Sequence, residues 1–365
     1  MKRCLQMKRV AIKIGSNVLT KADGTLDYTR MSALVDQIAD LHKSGVEVIL
    51  ISSGAVAAGR NKALADKLDA VSQRQLFSAI GQVKLINRYF MLFRDYGITC
   101  GQVLTTKESL GTRGHYLNQR NCMQVMIDNQ VIPIVNENDT ISVTELMFTD
   151  NDELSGLLAA MMDCEALIIL SNIDGIFDGN PADPNSKVIR EVLPGKRDLS
   201  AYIQTGKSSF GRGGMQTKTN IASKVADEGI QVIIANGKKD NILTDLLLTD
   251  KDVVCTRFVA SAVAASSVKK WIAHSEGFAK GEIHLDAGAS SALAESDLAT
   301  SVLPVGITEI KGNFEEDDIV KIFDEKGVQI GLGKAQYSSA EALKLIGKKG
   351  EKPVVHYDYL CIFER

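Results

Sequence analysis

Six short runs rich in aliphatic and β-branched residues punctuate the chain up to residue 236, and segments of helical period stand between them. The runs cover residues 10–14 (VAIKI), 46–52 (VEVILIS), 99–104 (TCGQVL), 131–136 (VIPIVN), 166–171 (ALIILS) and 231–236 (QVIIAN). Residues 27–45 and 73–97 place apolar side chains at three- and four-residue intervals, and each segment ends in glycine, as amphipathic helices do. Such alternation predicts an α/β fold of three layers, with a largely parallel central sheet and helices on both faces. Ligands of these sheets lie beyond the carboxyl ends of the strands, so the chemistry is sought there.

The pattern changes near residue 275. From Phe278 to Phe363 the runs are short and turn-rich, among them GEIHLDAGA at 281–289 and KPVVHYDYLCIF at 352–363, with one brief helix expected at SSAEALKLIG, 338–347. This predicts a small β-barrel as a second domain. The expected division is therefore residues 1–275 and residues 276–365, which suits a chain of 365 residues, longer than one typical domain.

A net charge of −3 provides no basic field for nucleic acid or an anionic membrane. The six cysteines, at 4, 100, 122, 164, 255 and 361, and the five histidines are scattered without metal-ligand spacing, so reduced thiols and no resident metal site are expected. The basic start MKRCLQMKR is not followed by the apolar stretch of a signal peptide. No apolar run approaches the roughly 20 residues that cross a bilayer, and a cytoplasmic location is expected.

Residues 210–218, FGRGGMQTK, set three glycines and a lysine just before a helical pattern. Glycine backbone at a helix N-terminus favours anions through free N–H groups and the helix dipole. Met215, Gln216 and Thr217 separate the last glycine from Lys218, so this is not a Walker A loop. Lys13 lies late in the first run, just before Gly15 and Ser16; by itself it reads as a solvated lysine on an edge strand, and only its neighbourhood points to a phosphate. Ser53 and Gly54 follow the second run and open a stretch of small residues, either an anion-binding turn or a plain helix cap. NENDTI places Asn136, Glu137, Asn138 and Asp139 at a strand end, and FTDNDELSG places Asp150, Asn151 and Asp152 at a helix start. Any one of these acids could be only a cap. Ser171 and Asn172 open an irregular loop rich in Gly, Asn, Asp and Pro. Two lysines, glycine backbone and no obvious catalytic base suit phosphoryl transfer, which asks mainly for alignment and charge neutralisation.

VAIKIGSN, ISSGAVAAGR, VIPIVNENDTI, FTDNDELSGLLAA, SNIDGIF and GRGGMQTK together resemble the amino-acid kinase superfamily, and within it most nearly the glutamate 5-kinase family. The resemblance spans essentially the whole chain, because a C-terminal PUA-like barrel is typical of the bacterial members. It implies the amino-acid kinase three-layer sandwich and ATP-dependent phosphorylation of the γ-carboxylate of L-glutamate, with Mg²⁺. Lys13 and Lys218 would flank the transferred phosphoryl group, with Asp152 orienting both. Ser53, Asp139 and Asn151 would contact glutamate, with Asn136 and Asp150 close by. Gly15, Gly54, Ser171, Asn172 and the segment Arg212, Gly213, Gly214, Met215, Gln216, Thr217 and Lys218 would bind ATP. Feedback inhibition by proline and a dimer or tetramer formed through the kinase domains are also implied. Asn172 departs from the acid usual there, and the loop at 176–187 is longer than usual.

An acetylglutamate or aspartate kinase would reuse the same phosphate machinery. An RNA-binding protein is the reading from another class, suggested by the tail. Residues 278–365 carry 15 Asp and Glu against 10 Lys and Arg, a poor partner for a phosphodiester backbone. GLGKAQ at 331–336 lacks the third glycine of a dinucleotide fingerprint.

Overall fold

The computed structural model describes residues 7–61, 68–142, 151–181, 183–194, 199, 214–262, 267–273, 275–294 and 300–363. Asp150, Arg212 and Gly213, three of the expected site residues, lie outside them. The chain divides into two compact units, Met1–Ala264 and Ala265–Arg365.

All six apolar runs become strands of one sheet: β1 (Arg9–Ile14), β2 (Glu47–Ser52), β3 (Thr99–Thr105), β4 (Val131–Glu137), β5 (Ala166–Ser171) and, after a two-residue β6 (Glu191–Val192), β7 (Gln231–Asn236). With β8 (Thr256–Phe258) the order is β3-β4-β2-β1-β5-β7-β8-β6, and every pairing is parallel except β7 with β8. β1, β2 and β5 are buried on both faces, which is why their sequences run almost continuously apolar instead of alternating. β6 and β8 carry too few residues to signal themselves in the sequence.

The helices of this unit are α1 (Ser16–Leu19), α2 (Tyr28–Lys43), α3 (Ala55–Gly59), α4 (Ala70–Arg94), α5 (Arg113–Asp128), α6 (Asn151–Met161), α7 (Met215–Asp227) and α8 (Ile242–Leu247). Their starts follow capping chemistry. Asp27 accepts from the N–H of Arg30, Asp69 from those of Val71 and Ser72, and Thr112 from that of His115. The core lies between the sheet and helices such as α2, whose Met31, Leu34, Val35 and Ile38 pack with Val10, Ile12 and Ile14 of β1.

The small residues after β2 have a packing cause. A Cβ on Gly59 would stand 1.8 Å from the carbonyl oxygen of Phe77, and one on Gly81 would stand 1.7 Å from that of Ala55. Helices α3 and α4 therefore touch backbone to backbone, which only glycine at both positions permits. Gly54 precedes α3 with φ of 105°, in left-handed space where a side chain is strained. That contact fixes the height of α4 over the carboxyl edge of β2 and β4.

In the second unit, β9 (Gly281–Leu285), β10 (Ile307–Gly312), β11 (Ile319–Phe323), β12 (Gln329–Lys334) and β13 (Leu360–Ile362) form a mixed sheet in the order β10-β9-β11-β12-β13. Ile283, Phe314, Val320, Ile322 and Val355 centre its own core. Helix α9 (Ser267–Ala273) belongs with this sheet, so the division falls ahead of the HSEG stretch at 274–277. The expected brief helix is Ser339–Leu345, started by a capping box of Ser338 and Glu341. Among the described residues no helix is long and apolar enough to cross a membrane.

Candidate active site

β1 is no edge strand. It lies between β2 and β5, with Lys13 in register with Ile51 and Ile169, and Lys13 is only 5% exposed. A lysine in the middle of a sheet must find a counter-charge, because burying an unpaired ammonium costs several kcal/mol. The partner is Asp152 in the first turn of α6. Lys13 Nζ sits 2.5 Å from one carboxylate oxygen and Lys218 Nζ 2.9 Å from the other. Asp152 is fully buried. Burial pushes its carboxyl up, but the two ammonium charges and their hydrogen bonds outweigh that and hold it below the ordinary carboxylate range. Residues 13 and 218 thus converge on one carboxylate at the sheet's carboxyl edge.

Helix α7 begins at Met215, earlier than the sequence pattern suggests, so Met215, Gln216, Thr217 and Lys218 form its first turn and not a loop. Gly214 precedes it in extended conformation and no side chain caps the turn, an arrangement that leaves the dipole end to an anion. Gly15 directly follows β1, next to Lys13 in the fold. Its N–H donates to the carbonyl of Leu170 at 3.1 Å. A Cβ there would come within 3.1 Å of that oxygen and 3.6 Å of Lys13 Nζ, so the glycine keeps space beside the lysine. Ser171 is buried and its carbonyl accepts from Gly237 N–H at 2.8 Å, while Asn172 is exposed. Beside them Asp174 pairs with Lys239 at 2.8 Å and accepts from Asn236 at 2.9 Å. Burial opposes ionisation of Asp174, yet those two partners lower its pKa overall.

A chain of amides leads away from Asp152. Asn151, its neighbour, donates to Ser53 Oγ at 2.9 Å and to Asn136 Oδ1 at 3.1 Å, and Asn136 donates to Gln82 Oε1 at 2.9 Å. Ser78 donates to Asp139 at 3.5 Å, and Arg74 forms ion pairs with Asp139 and, at 3.6 Å, with Glu137. Ser53, Asn136 and Asn151 therefore form one hydrogen-bonded group with Gln82, and Asp139 is held through Ser78 and Arg74 of the same helix α4.

Arg74, Ser78 and Gln82 are the residues that sequence reasoning missed. They stand at i, i+4 and i+8 on α4, one stripe of a helix whose regularity drew attention to its apolar face alone. The signal was present: Ser78 and Gln82 are polar positions at helical spacing, and both are buried.

Two lysines joined through a buried acid, a glycine-led helix and a polar wall are complementary to a phosphoryl donor and a small polar acceptor. Comparison with known proteins agrees with that geometry. Residues 8–236 match the amino acid kinase family and residues 281–357 match the PUA domain. The chain is 70% identical to glutamate 5-kinase of Bacteroides thetaiotaomicron over 98% of its own length and 99% of the relative's. The chain belongs to the glutamate 5-kinase family. Glutamate 5-kinase of Chlorobaculum tepidum is 47% identical, with 97% of each chain covered. A carbamate kinase from Giardia lamblia bound to AMP-PNP shares the fold at 19% identity, with a TM-score of 0.53 over 70% of this chain and 99% of that one.

Proposed function

We propose that this glutamate 5-kinase family member transfers the γ-phosphoryl group of ATP to the γ-carboxylate of L-glutamate, giving L-glutamyl 5-phosphate and ADP. The observation that carries the reading is the shared salt bridge of Lys13 and Lys218 through Asp152. In the reaction a γ-carboxylate oxygen attacks phosphorus in line, one P–O bond forms, and the bond to the β-phosphate oxygen breaks. The acceptor is already ionised at neutral pH, so no general base is needed. What the protein must supply is alignment and positive charge on the moving group, and Lys13 and Lys218 supply both from opposite sides. Asp152 holds both ammonium groups in place through its two carboxylate oxygens.

Gly214 and the first turn of α7, with Ser171 and the neighbouring Asn172, would take the nucleotide, together with Arg212 and Gly213. Mg²⁺ bound with the nucleotide would supply further positive charge to the phosphates. No group of three or more His, Cys, Asp or Glu able to hold a metal occurs among the described residues. Ser53, Asp139, Asn151 and Asn136, with Asp150 nearby, would hold glutamate. Service in proline synthesis, inhibition by proline through overlapping contacts, a dimer or tetramer, and a cytoplasmic location complete the reading.

The test is product identification with ATP, Mg²⁺ and a panel of L-glutamate, N-acetylglutamate and L-aspartate. Glutamate-dependent ADP release and a product trapped by hydroxylamine as the γ-hydroxamate are expected. Preference for N-acetylglutamate or aspartate would replace the acceptor while leaving the phosphate chemistry intact.

A further inference from the structure

Glutamate brings three charges to an enzyme: a γ-carboxylate that reacts, an α-ammonium and an α-carboxylate. The Lys13–Asp152–Lys218 cluster answers the first. Asp139, a carboxylate only 8% exposed, suits the second. The third needs a cation near Asp139 and away from the transferred phosphoryl group, and neither Lys13 nor Lys218 can serve without leaving the reaction.

Arg74 has the required place. Its guanidinium is ion-paired to Asp139 and stands 3.6 Å from Glu137, and its side chain is 23% exposed, against 10% for Asp139 and 4% for Glu137. It heads the stripe of α4 whose next members, Ser78 and Gln82, bond Asp139 and Asn136. Backbone contact at Gly59 and Gly81 fixes that stripe over the strand ends. The fork therefore sits on a rigid element and is still reachable by a ligand. One terminal nitrogen of the guanidinium faces both Asp139 and Glu137, and the group's five N–H donors lie in one plane suited to carboxylates.

We propose that Arg74 and Asp139 together form the receptor for the amino-acid zwitterion, Arg74 taking the α-carboxylate and Asp139 the α-ammonium. The two side chains neutralise each other while the site is empty, so neither charge is left buried without a partner. Substrate then inserts its own opposite charges, and the row alternates in sign from Glu137 to Arg74, the α-carboxylate, the α-ammonium and Asp139. Glu137 anchors the guanidinium throughout. Arg74 is thereby a specificity-determining residue, and it rests on the reading of the chain as a glutamate kinase.

4-Aminobutyrate is glutamate without its α-carboxylate, and it separates this role from a structural one. The full chain and R74Q are compared with glutamate and with 4-aminobutyrate, the latter as alternative acceptor or, where turnover is slow, as competitive inhibitor. In R74Q, kcat/KM for glutamate is expected to fall about 10- to 100-fold, mainly through KM, the loss of one charge-assisted contact. Affinity for 4-aminobutyrate is expected to change by only a few-fold, so the preference for glutamate collapses. Equal losses for both compounds would mean that Arg74 merely holds Asp139 in place, and the assignment would be overturned. A wild-type chain that does not favour glutamate over 4-aminobutyrate overturns it too. Should R74Q not fold by circular dichroism, R74K keeps the charge without the planar fork. Part of the preference should then be lost, and an unchanged preference refutes the proposal. A wild-type chain that phosphorylates N-acetylglutamate but not glutamate removes the underlying reading instead.

Discussion

Replacing Asp152 by asparagine keeps the shape of the side chain and removes the charge that two lysines share. Lys13 Nζ and Lys218 Nζ lie 2.5 and 2.9 Å from its two oxygens, so without the carboxylate two ammonium groups face each other across a short gap. At a separation of about 5–7 Å and an effective dielectric constant of about 20, their repulsion is about 2–3 kcal/mol. Removing one partner of a buried ion pair typically costs about 3–5 kcal/mol, so the two routes give similar magnitudes. D152N is expected to lose about 3–5 kcal/mol in urea denaturation, a large part of the about 5–15 kcal/mol that a protein usually has. Turnover should fall steeply, since the two lysines repel each other and swing apart. Because the loss is one of negative charge, sulfate or ADP should stabilise D152N more than it stabilises wild type. The pH dependence follows from sign: the folded pKa of Asp152 lies below its ordinary value, so its contribution is complete above that ordinary value and fades as pH falls through the folded one. D152N with wild-type stability and turnover would refute the reasoning.

Gly81→Ala should destabilise by about 1–3 kcal/mol or more, because the new Cβ meets the Ala55 carbonyl oxygen at 1.7 Å and forces α3 from α4, a change thermal unfolding would register. Gln82→Leu leaves the buried Asn136 amide without its acceptor; a loss of about 1–3 kcal/mol is expected by urea titration, and unchanged stability contradicts the hydrogen bond. Asp174→Asn weakens the contact with Lys239 beside Ser171; KM for ATP should rise with little change in KM for glutamate. Burial pushes the Cys100 thiol up to about 11, so iodoacetamide at pH 8 should alkylate exposed Cys122 well before Cys100, as peptide mapping would reveal.

The sheet was legible because burial on both faces leaves mostly apolar residues in β1, β2, β4 and β5, and turn residues mark where those strands stop. The tail's strands and the helix Ser339–Leu345 were legible for the related reason that Gly, Asn, Asp and Pro bound them, whereas the helix Ala287–Ala294, made of small residues after β9, was not. Strands β6 and β8 escaped because two or three residues carry no period. The helix Arg113–Asp128 escaped because its polar residues outnumber its buried apolar ones, Tyr116, Met123 and Ile127. At the site, residue types at strand ends pointed to Lys13, Asp152 and Lys218, but only the fold tells that β1 is central and that one carboxylate joins both lysines. Arg74 was unreadable for a different cause. An arginine on a helix usually faces water, and its pairing with Asp139 and Glu137 comes from a sheet-to-helix contact between distant stretches of chain.

The bridge through Asp152 also bears on how the protein is made. One of its lysines is in the opening strand and the other follows the long segment that completes strands β2 to β6, so a ribosome exposes the first long before it synthesises the second. A growing chain cannot cleave nucleotide at half-built catalytic machinery, and the onset of ATP turnover during synthesis would mark the moment at which the whole N-terminal unit closes.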